Sequence, residues 1–190
     1  MMKLLLSLLL AASFALAQQG PVPILIETEM GVIEAEIDTV HAPVSGNNFL
    51  RYVDAGLFDG GRFHRVVKKK PDNQPQNEIK IEVIQAARRE GTEGFPPIPL
   101  ERTSVTGLTH KDGTLSMARS EPDSGTSHFS ICVGDQPDLD FGGKRNPDGQ
   151  GFAAFGQVVK GMDVVHKIHN APFEEQRLTP PIKVLHVRRK

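Results

Sequence analysis

Apolar and polar positions alternate with a period of two along much of the chain. Ile24 to Thr28 and Val32 to Asp38 flank Met30-Gly31, and in the second arm Ile33, Ala35 and Ile37 oppose Glu34, Glu36 and Asp38. This predicts an antiparallel hairpin with one wet face. The same alternation in "IKIEVIQAA" puts Ile79, Ile81, Val83 and Gln85 on one face and Lys80, Glu82 and Ile84 on the other. Further strands are predicted over 113–119, 128–133, 152–159 and 182–187. A period near 3.6 occurs twice. Phe49, Tyr52 and Val53 follow Ser45, a fitting N-cap, and precede Gly56, a fitting C-cap. Met162, Val165 and Ile168 mark a second helix over 161–170. Short strands dominate and no βαβ alternation appears, which predicts a mostly β domain, either a closed antiparallel barrel or a sandwich.

Between these elements lie polar connectors. "KKKPDNQPQNE", Lys68 to Glu78, reads as a surface loop whose three lysines form a solvated tip. "GFPPIPLE" reads as a rigid extended connector. The stretch "GGRFHRVV", Gly60 to Val67, reads as a turn leading into a strand. Simple alternation would put Arg65 on the face of Phe63 and Val67, and a guanidinium there needs a reason.

Composition narrows the picture only modestly. At 190 residues the chain suits one domain, and a formal net charge of -1 gives no electrostatic case for nucleic acid or an anionic surface as partner. The first residues stand apart: one Lys, an apolar run from Leu4 to Ala17, then Gln-Gln-Gly. That run is of the length of a signal-peptide core, short of the ~20 residues that span a bilayer, and Ala15-Leu16-Ala17 is an A-x-A cleavage site. Residues 1–17 are expected to be a signal peptide and 18–190 a single exported domain. The single cysteine, Cys132, lies between Ile131 and Val133 and reads as a buried strand thiol with no disulfide partner.

Candidate chemistry is sparse. The seven histidines are scattered over different elements, and none has the neighbouring ligands of a metal motif. Ser127 and His128, adjacent on a strand, point to opposite faces and cannot act together as nucleophile and base. "DLDFGGKRNPDGQG" lacks the pattern of a phosphate-binding loop. What remains is a set of strands that present polar groups beside apolar ones: Arg65, Gln85 and His128.

Four segments, "FHRVV", "GTLSMAR", "TSHFSICVGD" and "FAAFGQVVKGMDVVHKI", together with the order of elements, resemble the cyclophilins, the peptidyl-prolyl cis–trans isomerases. The resemblance runs from about Val22 to Val187. It implies a closed eight-stranded antiparallel β-barrel capped by two α-helices, with an active groove on the barrel's outer surface. It implies that Arg65 is the catalytic arginine and that Gln85 holds substrate backbone. Ala118 matches a groove alanine, and Leu139 an apolar residue of the proline pocket. It also implies binding of proline-containing peptides or unfolded exported proteins by a monomer, with no metal or cofactor, and no membrane contact once the signal is removed.

The chain departs from the family pattern around that pocket. The 68–78 loop is longer than the family's short turn, Glu82 and Val83 replace Phe-Met, and Arg119 replaces an asparagine. His128 replaces a second groove glutamine, Ser130 the pocket-floor phenylalanine, Asp138 a groove tryptophan, and Phe152 falls at the groove histidine. The expected substrate-binding residues are therefore Gln85, Val83, Ala118, Arg119, His128, Ser130, Leu139 and Phe152, with the apolar pocket rebuilt by Val83, Phe129, Leu139 and Phe152. The expected function is X-Pro isomerisation in exported polypeptides, assisting their folding. The alternatives are a peptide-holding module with little catalysis and an interaction domain with a vestigial groove. The single-Lys signal suits a bacterial periplasm, with extracellular release the other destination.

Overall fold

The computed structural model describes residues 20–190, so the expected signal segment lies outside the described residues. The strands are β1 (Val22–Thr28), β2 (Gly31–Ile37), β3 (Arg62–Val67), β4 (Val83–Ala87), β5 (Thr114–Met117), β6 (Phe129–Cys132), β7 (Ala153–Lys160), β8 (Phe173–Glu174) and β9 (Arg177–Arg189). The helices are α1 (Pro43–Asp54), α2 (Thr103–Thr106) and α3 (Met162–His169). Antiparallel pairing runs β1-β2-β7-β5-β6-β4-β3-β9, and β9 returns to β1. Eight strands thus close into a barrel and leave no long edge. β8 is a short spur on β9.

Alternation fills the barrel. Val66, Ile84, Ile131 and Leu115 face one another across β3, β4, β6 and β5, and all are fully buried. Phe49 of α1 plugs one end, its ring 5.2 Å from Phe129 and 5.3 Å from Phe155. α3 lies against β2, β3 and β4, burying Val164, Val165 and Ile168.

Several expectations are corrected here. Ser45 is not the N-cap of α1: the helix starts at Pro43 after Ala42, and Ser45 is buried inside its first turn. The free N–H groups of that turn are met from afar, where the Glu101 carboxylate accepts from Val44 at 2.8 Å and from Ser45 at 2.5 Å. Gly56 follows the helix with φ +63°, the left-handed conformation that suits glycine.

Lys68 is no solvated tip. Its stem is buried, and its ammonium donates to the His169 carbonyl at 3.0 Å and to Asn170 Oδ1 at 2.8 Å, at the negative end of α3. Only Lys69 and Lys70 are exposed.

The strand expected from Ile79 begins only at Val83. The Gln74 amide takes the place of a neighbouring strand, donating to the Ile81 carbonyl at 2.9 Å and accepting from its N–H at 3.1 Å.

Candidate active site

β3 carries a bulge. Its pairing with both β4 and β9 shifts between Phe63 and Arg65, so Phe63 and Val66 both point into the barrel while His64 and Arg65 both point outward. Arg65 therefore shares no face with Phe63, contrary to simple alternation. On the outer surface Arg65 stands opposite Gln85, Gln85 opposite Ser130, and Ser130 opposite Ser116. This polar row crosses four strands. Two residues along, Val67, Val83 and Cys132 form an apolar row, which Leu139 and Ile81 cover with Phe152 at the margin.

The polar row, together with Val83 of the apolar row, lines a cleft of about 260 Å³, while Val67 and Cys132 are buried behind it. It brings together Arg65 and the expected substrate-binding residues except His128. His128 lies instead in a neighbouring depression with Arg62, Arg88 and His64, its ring 5.5 Å from that of His64. Phe129, expected to help rebuild the pocket, points into the barrel against Phe49 and Phe58 because it sits one residue out of phase with Ser130. Asp138 belongs to a short 3-10 turn, Pro137–Leu139, that presents Leu139 to the cleft. Phe152 is set beside it by its N–H bond to the Leu139 carbonyl at 2.8 Å. Gly151 permits this approach: its φ is +67°, and a Cβ there would meet the Asp140 carbonyl at 2.6 Å.

Arg65 is held by neutral acceptors. Nε and Nη2 donate to Gln176 Oε1 at 2.9 and 2.6 Å, and Nη1 donates to Gln85 Oε1 at 3.2 Å. Burial lowers its pKa, yet a guanidinium remains charged. No carboxylate among the described residues pairs with it, so its field reaches into the cleft uncancelled. Arg145 adds a second cation, anchored to Gln74 Oε1 at 2.8 Å and the Ile79 carbonyl at 2.6 Å. Burial and then the Arg65 charge lower the Arg145 pKa.

Arg119 behaves differently. It pairs in two-pronged fashion with Asp148 at 2.8 and 2.9 Å, and its guanidinium sits 5.2 Å from the Phe152 ring centre. It acts as a wall with its charge already matched. Beneath the floor, His110 joins Asp140 Oδ1 at 2.7 Å to Ser116 Oγ at 2.8 Å, which fixes the orientation of that serine.

Gln176, Arg145, Asn77 and Ser116 are residues of this site that the sequence did not single out. Gln176 sits in an ordinary polar turn between β8 and β9, and its meeting with Arg65 depends on pairing 111 positions apart. Among the described residues no group of three or more His, Cys, Asp or Glu is placed to hold a metal ion. No helix among them is long and apolar enough to cross a membrane.

A cleft on the outer face of an eight-stranded barrel, lined by Val83 and Leu139 and headed by Arg65, lies where the resemblance to the cyclophilins implies an active groove. Residues 23–189 match the family model described as "Cyclophilin type peptidyl-prolyl cis-trans isomerase/CLD". The chain is 39% identical over 168 residues to the peptidyl-prolyl cis-trans isomerase A of Dickeya dadantii, covering 87% of this chain and 80% of that one. It is 37% identical over 148 residues to a peptidyl-prolyl cis-trans isomerase of Acinetobacter baylyi, covering 77% and 71%. The crystal structure of a Cryptosporidium parvum cyclophilin-type isomerase superposes with a TM-score of 0.71 at 19% identity, covering 90% of this chain and 98% of that one. The same protein has been solved in the presence of the dipeptide Ala-Pro. The chain belongs to the cyclophilin-type peptidyl-prolyl cis–trans isomerases, and it is an isomerase enzyme.

Proposed function

We propose that the 260 Å³ cleft binds an X-Pro segment, with the proline ring against Val83, Leu139 and Phe152 and its nitrogen beneath Arg65. Rotation about an X-Pro bond breaks amide resonance, across a barrier of roughly 18–20 kcal/mol. As the bond twists, the proline nitrogen becomes pyramidal and regains a lone pair. A guanidinium donating to that lone pair binds the twisted state more tightly than the planar one, and only such differential binding raises the rate. Gln85 and the backbone at Ala118 and Arg119 orient the peptide. His128 reaches it only from the adjacent depression.

The observation that carries this reading is an arginine with no carboxylate partner among the described residues, at the head of a cleft that Ile81, Val83, Leu139 and Phe152 also line. The Arg65 side chain is half-buried and, among the described residues, bonds only to amide oxygens, so its replacement leaves no orphaned charge. Arg65→Ala is expected to lower turnover of a proline tetrapeptide about 100-fold or more in a protease-coupled assay, with circular dichroism unchanged. Unchanged turnover would remove Arg65 from the mechanism.

We further infer that the substrates are exported polypeptides whose folding the enzyme assists, in the periplasm. Support comes from the Leu4–Ala17 run and the A-x-A site at its end. Mass spectrometry of protein recovered from an expressing bacterium should find a chain beginning at Gln18 outside the cytoplasm. An intact Met1 terminus in the cytosolic fraction would contradict export.

A further inference from the structure

Arg65 borders two cavities. Besides the 260 Å³ cleft, a larger one of about 840 Å³ opens between the 71–77 loop and the turn joining β8 to β9. Arg65 and Asn77 line both, so the two spaces meet at the guanidinium. We propose that the larger cavity is the second half of the peptide site. It receives an extended stretch of the same polypeptide whose proline lies beside Arg65, and it holds that stretch through its backbone. This rests on the reading of the smaller cleft given above.

The chemistry of the walls favours this occupant. Gln76 and Asn77 line the cavity with Pro71, Pro75 and Phe173. A carboxamide offers a donor and an acceptor, as a peptide group does, and so matches backbone without selecting side chains. Charges at the rim are of both signs: Asp72 is bridged to Lys80 at 2.8 Å, and Glu175 and Arg177 flank Gln176. Nothing there selects a strongly charged ligand. The volume lies within the ~300–1,000 Å³ of pockets that enclose whole ligands.

The cavity is also built in advance. Asn73 Oδ1 accepts from the Lys68 N–H at 2.8 Å, and Asn73 Nδ2 donates to the Val66 carbonyl at 3.0 Å. Gln74 ties the loop's base to Lys68 and Ile81 at 2.9 Å each. Gln176 Nε2 donates to the Asn73 carbonyl at 2.8 Å, joining loop to turn across the cavity's inner end. A wall so fastened loses little freedom when a peptide enters.

Turnover of a proline tetrapeptide, and of the same core lengthened by several alanines before or after it, tests the proposal in the mature chain. One lengthened peptide should show a kcat/KM about tenfold above the tetrapeptide, as one or two backbone hydrogen bonds would give. Gln76→Trp, which fills the cavity from an exposed loop position, should bring that ratio close to one, and Gln76→Ala should reduce it. Equal kcat/KM for all lengths in the unaltered chain, or a ratio indifferent to Gln76→Trp, would overturn the second half-site. Absence of tetrapeptide turnover would instead defeat the reading of the smaller cleft. In that case, titration of the lengthened peptide followed by NMR decides the larger cavity: shifts at Gln76 and Asn77 support it, and their absence refutes it.

Discussion

An arginine bound to two amide oxygens keeps a charge that a carboxylate partner would cancel. Gln176 matters most to Arg65, since it accepts from two of the three nitrogens that bond and is itself fixed by donating to the Asn73 carbonyl. It acts as a positioning residue. Gln176→Ala is expected to lower kcat about tenfold while KM and melting temperature change little. In the Arg65→Ala background the same substitution should have no further effect on kcat, because there is no guanidinium left to aim. Additive losses in the double variant would mean that Gln176 acts by another route. Arg119 is the contrasting residue: of the same chemical type and in the same cleft, it is matched to Asp148 and used for shape.

Elements decide where these side chains point. The bulge in β3 turns two successive residues outward, and the second of them is Arg65. The first, His64, bears the cost. Its Nδ1 is buried without a partner among the described residues, and burial, followed by repulsion from His128, depresses its pKa to about 4 from the ordinary 6.5. The unfolded chain therefore takes up a proton at His64 between pH 6.5 and 4 while the folded chain does not. In that window stability rises with pH and is lost on acidification. Thermal melts of the parent and of His64→Asn should converge in slope above pH 6.5, and the parent should fall more steeply between 6.5 and 4. Parallel curves through that window would show that His64 titrates normally in the fold. The paired carboxylates do not confuse this, since Asp54 and Asp148 are held below 3.8 chiefly by bonds from Arg189 and Arg119 and act at more acid pH.

At the scale of the molecule, the sequence disclosed what depends on local pattern and concealed what depends on contacts far apart in the chain. The β1–β2 hairpin, α3 and the buried thiol are legible because periodicity marks a buried face whatever lies opposite it. Arg65 and Gln85 were each singled out through the resemblance to the family, but their contact across β3 and β4 was not. Nor was the bulge, because one extra residue leaves no compositional trace. The Gln74 side chain that stands in for a strand beside Ile81, and the Glu101 carboxylate that caps α1, are equally invisible, since each joins segments whose proximity only the closed barrel creates. Cys132 reports on that closure. It lies in β6 between β4 and β5, is fully buried, and its thiol pKa is pushed well up by burial. Labelling by a thiol reagent under native conditions should proceed only through global opening and track the unfolding free energy from denaturant titration. Fast labelling at full native stability would reveal a local breach at β6.

The seam of the barrel lies between β1 and β9, with Ile24 opposite Arg189 and Ile26 opposite Val187. β9 also pairs with β3 and carries β8. A nascent chain therefore cannot complete the ring from any shorter portion: until β9 leaves the ribosome, β1 and β3 both present bare backbone, and the sheet remains an open ribbon. The ring therefore closes only once β9 is in place between β1 and β3, and the cleft that Arg65 heads takes shape no earlier than that closure.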